Sequence, residues 1–181
     1  MNLPVIIRPA TLDDALAIAE VHVISWRQAY RGLMPATFLE GLSVEEREAL
    51  WSDSITKNEP EILVVERDGA VAGFCAFGPC RDPGSMPSDY EIWAMYLHPA
   101  HWSRGLGREL WLASHNRIVE HGAKTVSLWV LADNERAIRF YHAMGFEAET
   151  GSGKFLERGS VQLQEVRFTQ QLSGGANHAE G

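Results

Sequence analysis

Apolar residues recur at three- and four-residue steps from Leu12 through Ala15, Leu16, Ala19, Val23 and Trp26 to Tyr30, and this spacing predicts an amphipathic helix opened by Thr11. Ser43 followed by Glu46 forms a capping box, predicting a second helix that carries Leu50, Trp51 and Ile55. Short apolar runs predict strands over 5–8, 62–65 and 70–77. Asp68-Gly69 joins the last two, a pair suited to the left-handed conformations of a two-residue hairpin. A strand over 90–98, stopped by Pro99, runs through the turn Ser103–Gly107 into a helix carrying Leu106, Leu110, Ala113 and Ile118 and ended by Gly122. A strand over 125–131, a helix over 134–144 stopped by Gly145, and strands near 146–150 and 161–169 complete the pattern.

The order is strand, two helices, three strands, helix, strand, helix, two strands. It predicts an α/β (α+β) fold, a mixed sheet with helices on its faces. The 68–69 hairpin is antiparallel, whereas the strand–helix–strand unit through Gly105 needs a crossover and parallel pairing. No internal repeat or low-complexity linker interrupts the chain. One domain is expected over 1–172, with a solvated tail over 173–181.

With 181 residues, 45% hydrophobic and 22% charged, the chain has the composition of a globular domain with a sizeable core. A net charge of −8 argues against general affinity for nucleic acid and permits attraction of a cationic amine. No apolar run approaches the roughly 20 residues that span a bilayer, and Met1–Pro9 lacks the basic-then-apolar order of a signal peptide, so a cytoplasmic protein without membrane association is expected. Cys75 and Cys80 cannot build a disulfide framework; Cys75 reads as a small buried hydrophobe in a strand and Cys80 as lying just past it. His98 and His101 flank Pro99 without a carboxylate or cysteine at ligand spacing, so no metal is expected.

The chemistry concentrates where the strand ending at Leu97 meets the turn Trp102-Ser103-Arg104-Gly105-Leu106-Gly107-Arg108. Unpaired N–H groups at a helix start carry the positive end of its dipole, and glycine lets a phosphate approach them closely. Arg104 and Arg108 add charge, so the turn suits a pyrophosphate; a plain tight turn with a helix cap is the competing reading. The Gly-Lys-Ser/Thr ending of a nucleoside-triphosphatase loop is missing. So is the third glycine of a dinucleotide fold.

Pro99–Gly107, followed by Asn134, Ala137, Phe140-Tyr141 and Gly145-Phe146, resembles the GNAT superfamily of N-acetyltransferases. Ile7-Arg8-Pro9-Ala10, Trp26, Ala29-Tyr30-Arg31-Gly32 and Trp51 are similar to a bacterial branch of it. The family motif Arg/Gln-x-x-Gly-x-Gly/Ala departs at its first position, where Trp102 stands. The resemblance implies a mostly antiparallel, twisted sheet of about seven strands with a splayed central pair, acetyl-CoA as cosubstrate, and an amine acceptor on a small molecule or peptide. A homodimer would be compatible with it.

The resemblance also implies roles. The backbone of Met95, Tyr96 and Leu97 would pair with the amide-rich pantetheine arm. Ser103, Arg104, Gly105, Leu106, Gly107 and Arg108 would cradle the pyrophosphate. Asn134 would hydrogen-bond the cofactor, serve as a helix N-cap, or both. Tyr141 matches the tyrosine that donates toward the departing thiolate, or is a core tyrosine. The strand position where some members carry a glutamate base is Trp129, better read as pocket wall or core. That leaves Glu91 or a water relay to take the amine's proton. Trp26 and Tyr30 either shape the acceptor site or simply pack. Two other classes stay open: an acyl-CoA-binding regulatory module, favoured by Trp102 and Trp129, and a nucleotide-binding protein using the turn at Gly105.

Overall fold

A computed structural model describes residues 4–173 of the chain. In chain order the elements are β1 (Ile6–Pro9), α1 (Ala15–Ala29), α2 (Ala36–Glu40), α3 (Val44–Lys57), β2 (Glu61–Arg67), β3 (Ala70–Pro79), β4 (Asp89–Leu97), α4 (Leu106–Glu120), β5 (Thr125–Leu131), α5 (Glu135–Ala143), β6 (Glu147–Ala148), β7 (Lys154–Arg158) and β8 (Val161–Gln171). The strands form one sheet of eight in the order β1-β2-β3-β4-β5-β8-β6, with β7 also on β8. Every pairing is antiparallel except β4 with β5, which is parallel as the crossover through α4 requires. Two elements escape the sequence pattern, α2 and β7, so the sheet has eight strands where about seven are expected. The expected tail lies, beyond Ser173, outside the described residues.

The central strands are apolar on both faces because both faces are covered. Leu63 and Val65 of β2, with Cys75 and Phe77 of β3, point to one side and pack with Leu106, Leu110, Trp111 and Ile118 of α4. Their neighbours Ile62, Val64, Phe74 and Ala76 point to the other and pack with Ile18, Ala19 and Val21 of α1 and Trp51 of α3. The period-2 alternation of a strand thus splits one continuous hydrophobic run between two cores. The hairpin takes its predicted form: Asp68 and Gly69 have φ of 54° and 80°, both left-handed. Among the described residues no helix is long and apolar enough to cross a membrane.

The feature that positions the site is a separation in the middle of the sheet. β4 pairs with β5 only through Asp89, Tyr90 and Glu91, while β5 stays paired with β8 along its whole length. The register between β3 and β4 shifts where Ala76 faces Ala94 but Phe77 faces Ile92, which leaves Trp93 as an extra residue in β4. A bulge bends and over-twists its strand. Here it lies two residues past Glu91, and from Ile92 onward β4 turns away from β5 with that edge unpaired.

Close approach of β3 to the end of β4 fixes the other edge. A Cβ at Gly73 would lie 2.3 Å from Leu97 Cδ2 and 2.8 Å from the Tyr96 carbonyl oxygen. Gly73→Ala is therefore expected to destabilise the fold by about 1–3 kcal/mol, because backbone has to move. Urea unfolding of the two proteins measures it, and an unchanged midpoint would refute the close packing.

Candidate active site

From the open edge of β4 the chain enters a short 3₁₀ turn, Pro99–His101, and then the glycine-bearing turn. Ser103 and Gly105 both adopt left-handed backbone, with φ of 59° and 83°. Alternating left- and right-handed residues aim successive N–H groups into one concavity, and the first-turn amides of α4 lack intrahelical acceptors. Gly107 lets α4 sit close: a Cβ there would come 3.1 Å from Phe140 Cε2 and 3.2 Å from Leu97 Cδ1. The residues present therefore fit a pyrophosphate held by backbone amides.

A cavity of about 440 Å³ opens along this edge. It is lined by Met95, Tyr96 and Leu97 of β4, Ser103, Gly105, Gly107 and Arg108 of the turn, and Asn134 and Tyr141 of the last helix. Segments some forty residues apart in sequence thus meet at one slot. Arg104 is exposed and off the wall, and the Leu106 side chain belongs to the core, so Leu106 offers the slot only its backbone N–H. Asn134 is the N-cap of α5, its Oδ1 accepting from Ala137 N at 3.2 Å, and the buried residue also lines the cavity.

Trp102, the departure from the motif, ties the turn to the strand by donating from Nε1 to the Leu97 carbonyl at 2.9 Å. Over its ring, 3.4 Å from the centroid, lies the guanidinium carbon of Arg136. A cation thus stands beside the turn where the motif's own Arg is missing, held by the aromatic face that replaced it. Sequence reasoning passed over Arg136 because one arginine in the first turn of a helix carries no signal; only the docking of α5 on the turn brings it to Trp102.

Tyr141 lies against Phe140 and Phe146 and lines the same slot. Burial raises its phenol well above the usual tyrosine range, helped by the nearby Cys75 and Tyr96. The phenol therefore stays protonated and available as a donor. Cys75 is fully buried, and burial pushes its thiol up to about 12, so it is not a ready thiolate nucleophile.

A second cavity, of about 570 Å³, shares the walls Tyr30, Ile92, Trp93, Tyr96 and Trp129 with the first. Trp26 and Tyr30 of α1 meet edge to face at 5.1 Å on its rim. They rest on a cluster in which His22 stacks on Tyr96 at 5.2 Å and accepts from Trp51 Nε1 at 3.1 Å. The Trp26 indole N–H is buried without a protein partner among the described residues, and burial holds the Tyr30 phenol well above its usual range. Trp129 is a wall, fixed by donation to Asp82 Oδ1 at 3.0 Å, with Lys154 Nζ 3.8 Å over its ring.

Glu91 lines this second cavity, but its carboxylate is committed. Oε2 accepts from the backbone N and Nε of Arg81 at 3.0 and 3.1 Å, and Oε1 from Arg81 Nη2 at 2.7 Å. Only 3% of the residue is exposed. A base must offer a free lone pair to its proton donor. Three hydrogen bonds from Arg81 take up most of the carboxylate's acceptor sites, which argues against the expected base role and ties Glu91 to the loop after β3. Among the described residues, no group of three or more His, Cys, Asp or Glu is placed to hold a metal ion.

Residues 18–146 match the model described as the Acetyltransferase (GNAT) family, and the chain belongs to that family. It is 33% identical over 162 residues to the uncharacterized N-acetyltransferase YuaI of Bacillus subtilis, covering 90% of each chain. It is 25% identical over 166 residues to the L-amino acid N-acyltransferase MnaT of Escherichia coli, covering 87% of this chain and 92% of that one. Its fold also superposes on the crystal structure of the PaiA N-acetyltransferase of Thermoplasma acidophilum in complex with coenzyme A. The TM-score is 0.77 at 19% identity, over 94% of this chain and 100% of that one. The fold expectation holds, down to the splayed central pair.

The buried imidazole of His22, stacked on Tyr96 of the second cavity, makes stability depend on pH. His22 titrates near 6.5 when unfolded, whereas burial holds it at about 3 in the folded protein. The stability due to burying it neutral is complete above about pH 6.5 and is lost as pH falls toward about 3, by up to ~1.4 kcal/mol per pH unit. Urea unfolding between about pH 6 and 4 is expected to show a shallower decline for His22→Gln than for the wild type. Parallel declines would show that His22 takes no part.

Proposed function

We propose that this acetyltransferase moves the acetyl group of acetyl-CoA directly to a primary amine of a small molecule or peptide. The observation that carries the reading is the meeting of two cavities across shared walls, with Tyr141 lining the first. The open edge of β4 from Ile92 to Leu97 offers backbone groups to the amides of the pantetheine arm, and the turn at 103–108 offers N–H groups to the pyrophosphate. Bound acetyl-CoA supplies an activated acyl thioester. Asn134 and Arg136 hold its head region, and Tyr141 donates a hydrogen bond toward sulfur as negative charge develops there.

The raised pKa of Tyr141 matters to that role. A phenol less acidic than a thiol does not give up its proton completely, but it remains a donor over the whole working pH range. The inert Cys75 favours direct transfer over a covalent acyl-enzyme. The second cavity is large enough for an acceptor of amino-acid or dipeptide size, in keeping with the amino-acid acyltransferase among the relatives.

Tyr141→Phe tests the assignment. The expected outcome is a fall in kcat of about 10²-fold with the Kd for acetyl-CoA changed by less than about twofold, read by thiol release and calorimetry. An unchanged kcat would remove Tyr141 from the chemistry.

A further inference from the structure

Three carboxylates line the acceptor cavity, and two are already occupied. Glu91 is held by Arg81 through both oxygens. Asp82 accepts from Trp129 Nε1 at 3.0 Å and from Arg167 Nε at 2.8 Å. The third is Glu165. Among the described residues it has no side-chain hydrogen bond, and its nearest cation, Lys154 Nζ, stands 3.9 Å away with its charge over the Trp129 ring. Its side chain is only 21% exposed.

The placement of Glu165 follows from strand periodicity. On β8, Leu163, Glu165 and Arg167 share one face. Leu163 packs with Met34 beside Tyr30 and Trp26, and Arg167 reaches Asp82, so Glu165 between them faces the cavity. Its backbone is pinned from both sides, opposite Leu131 of β5 and Lys154 of β7. Sequence reasoning missed it because β7 is short and polar, and without β7 the cavity has no third wall.

We propose that Glu165 is the catalytic base, receiving the ammonium of the acceptor and taking its proton. This rests on the acetyl-transfer reading above and names the group that reading leaves open. In the step, the ammonium gives one proton to the Glu165 carboxylate. The freed nitrogen lone pair forms the C–N bond to the acetyl carbonyl carbon. The C–S bond breaks with its electron pair on sulfur, where Tyr141 donates. The second proton leaves the nitrogen of the new amide by way of Glu165 after the first has passed to solvent.

The electrostatics around Glu165 agree with this. Burial raises its carboxyl above the usual glutamate range, while Lys154 and Arg158 of β7 pull it down. Tyr30 of α1 and Tyr96 of β4 are phenols raised chiefly by burial, and the Glu165 charge adds to both. The remaining charges on the cavity, Arg81, Asp82 and Glu91, are paired as described. A carboxylate of raised pKa is a stronger base toward an ammonium and loses activity on its acid side as it becomes protonated.

The test is the pH dependence of kcat/KM for thiol release, with L-amino acids, diamines and dipeptides as acceptors, on wild type, Glu165→Gln and Glu165→Asp. Acetyl-CoA affinity by calorimetry and the thermal midpoint serve as folding controls. The expected result is a loss of about 10²-fold or more in Glu165→Gln with unchanged acetyl-CoA affinity, removal of the wild-type acid limb, and partial recovery in Glu165→Asp. A Glu165→Gln enzyme that keeps both rate and acid limb overturns the inference and leaves the acetyltransferase reading standing. If Glu165→Gln fails to fold, Glu165→Asp decides: an acid limb identical to the wild type's overturns the assignment, and a displaced one supports it. Absence of amine-dependent release from wild type overturns the acetyl-transfer reading, and the inference falls with it.

Discussion

The structure turns on one interrupted ladder. β4 and β5 are parallel neighbours at Asp89, Tyr90 and Glu91, and then part. An unpaired strand edge inside a sheet is costly, because its N–H and C=O groups lose partners that the rest of the sheet supplies. The bulge at Trp93 enforces the separation by bending β4 while leaving it attached to β3. Trp93 is itself held, donating from Nε1 to the Pro79 carbonyl at 3.2 Å beneath the Arg81 guanidinium, which in turn grips Glu91. The last paired residue of β4, the bulge and the loop after β3 therefore form one locked unit. A sheet that closed here would leave no open edge along β4.

Rigid packing on both sides keeps the slot open. On one face, Leu106, Leu110 and Ile118 anchor α4 so that its amide-bearing start points at the end of β4. On the other, His22, Trp51 and Phe74 form a continuous aromatic contact with Tyr96 of β4 and fix its ring. The neutral, buried His22 fits such a cluster as a polarisable ring that satisfies the Trp51 N–H. The proposed reaction depends on both layers: the turn must not drift from the strand edge, and the two cavities must share walls. Gly107 and Trp102 meet the first condition, Tyr30 and Trp129 the second.

Much of this was legible in the sequence because it rests on local patterns. The Asp68-Gly69 hairpin, the Ser43 cap and the strand–turn–helix around Gly105 each follow from residue chemistry at short range, and each is present. The turn at 103–108, Asn134 and Tyr141 stand out in the sequence for the same reason, and the fold brings them to one cavity. What escaped depends on contacts between distant segments. β7 is five residues of Lys-Phe-Leu-Glu-Arg with little alternation, stabilised by the edge of β8 rather than by its own pattern. Glu165 and Arg136 are ordinary surface charges until β7 and α5 dock. Glu91 reads in the sequence as an acid at the start of the strand leading to the turn, and only the folded loop brings Arg81 onto it.

The central claim is that the opened edge of β4 and the turn beneath α4 together receive acetyl-CoA. Hydrogen exchange of the backbone amides, with and without acetyl-CoA, tests it at the level of the groups involved. The account predicts slowing of about 10-fold or more confined chiefly to residues 92–97 and 103–108, with β1 and β2 unaffected. Unchanged exchange in both segments under saturating acetyl-CoA, or protection appearing only elsewhere, would contradict it.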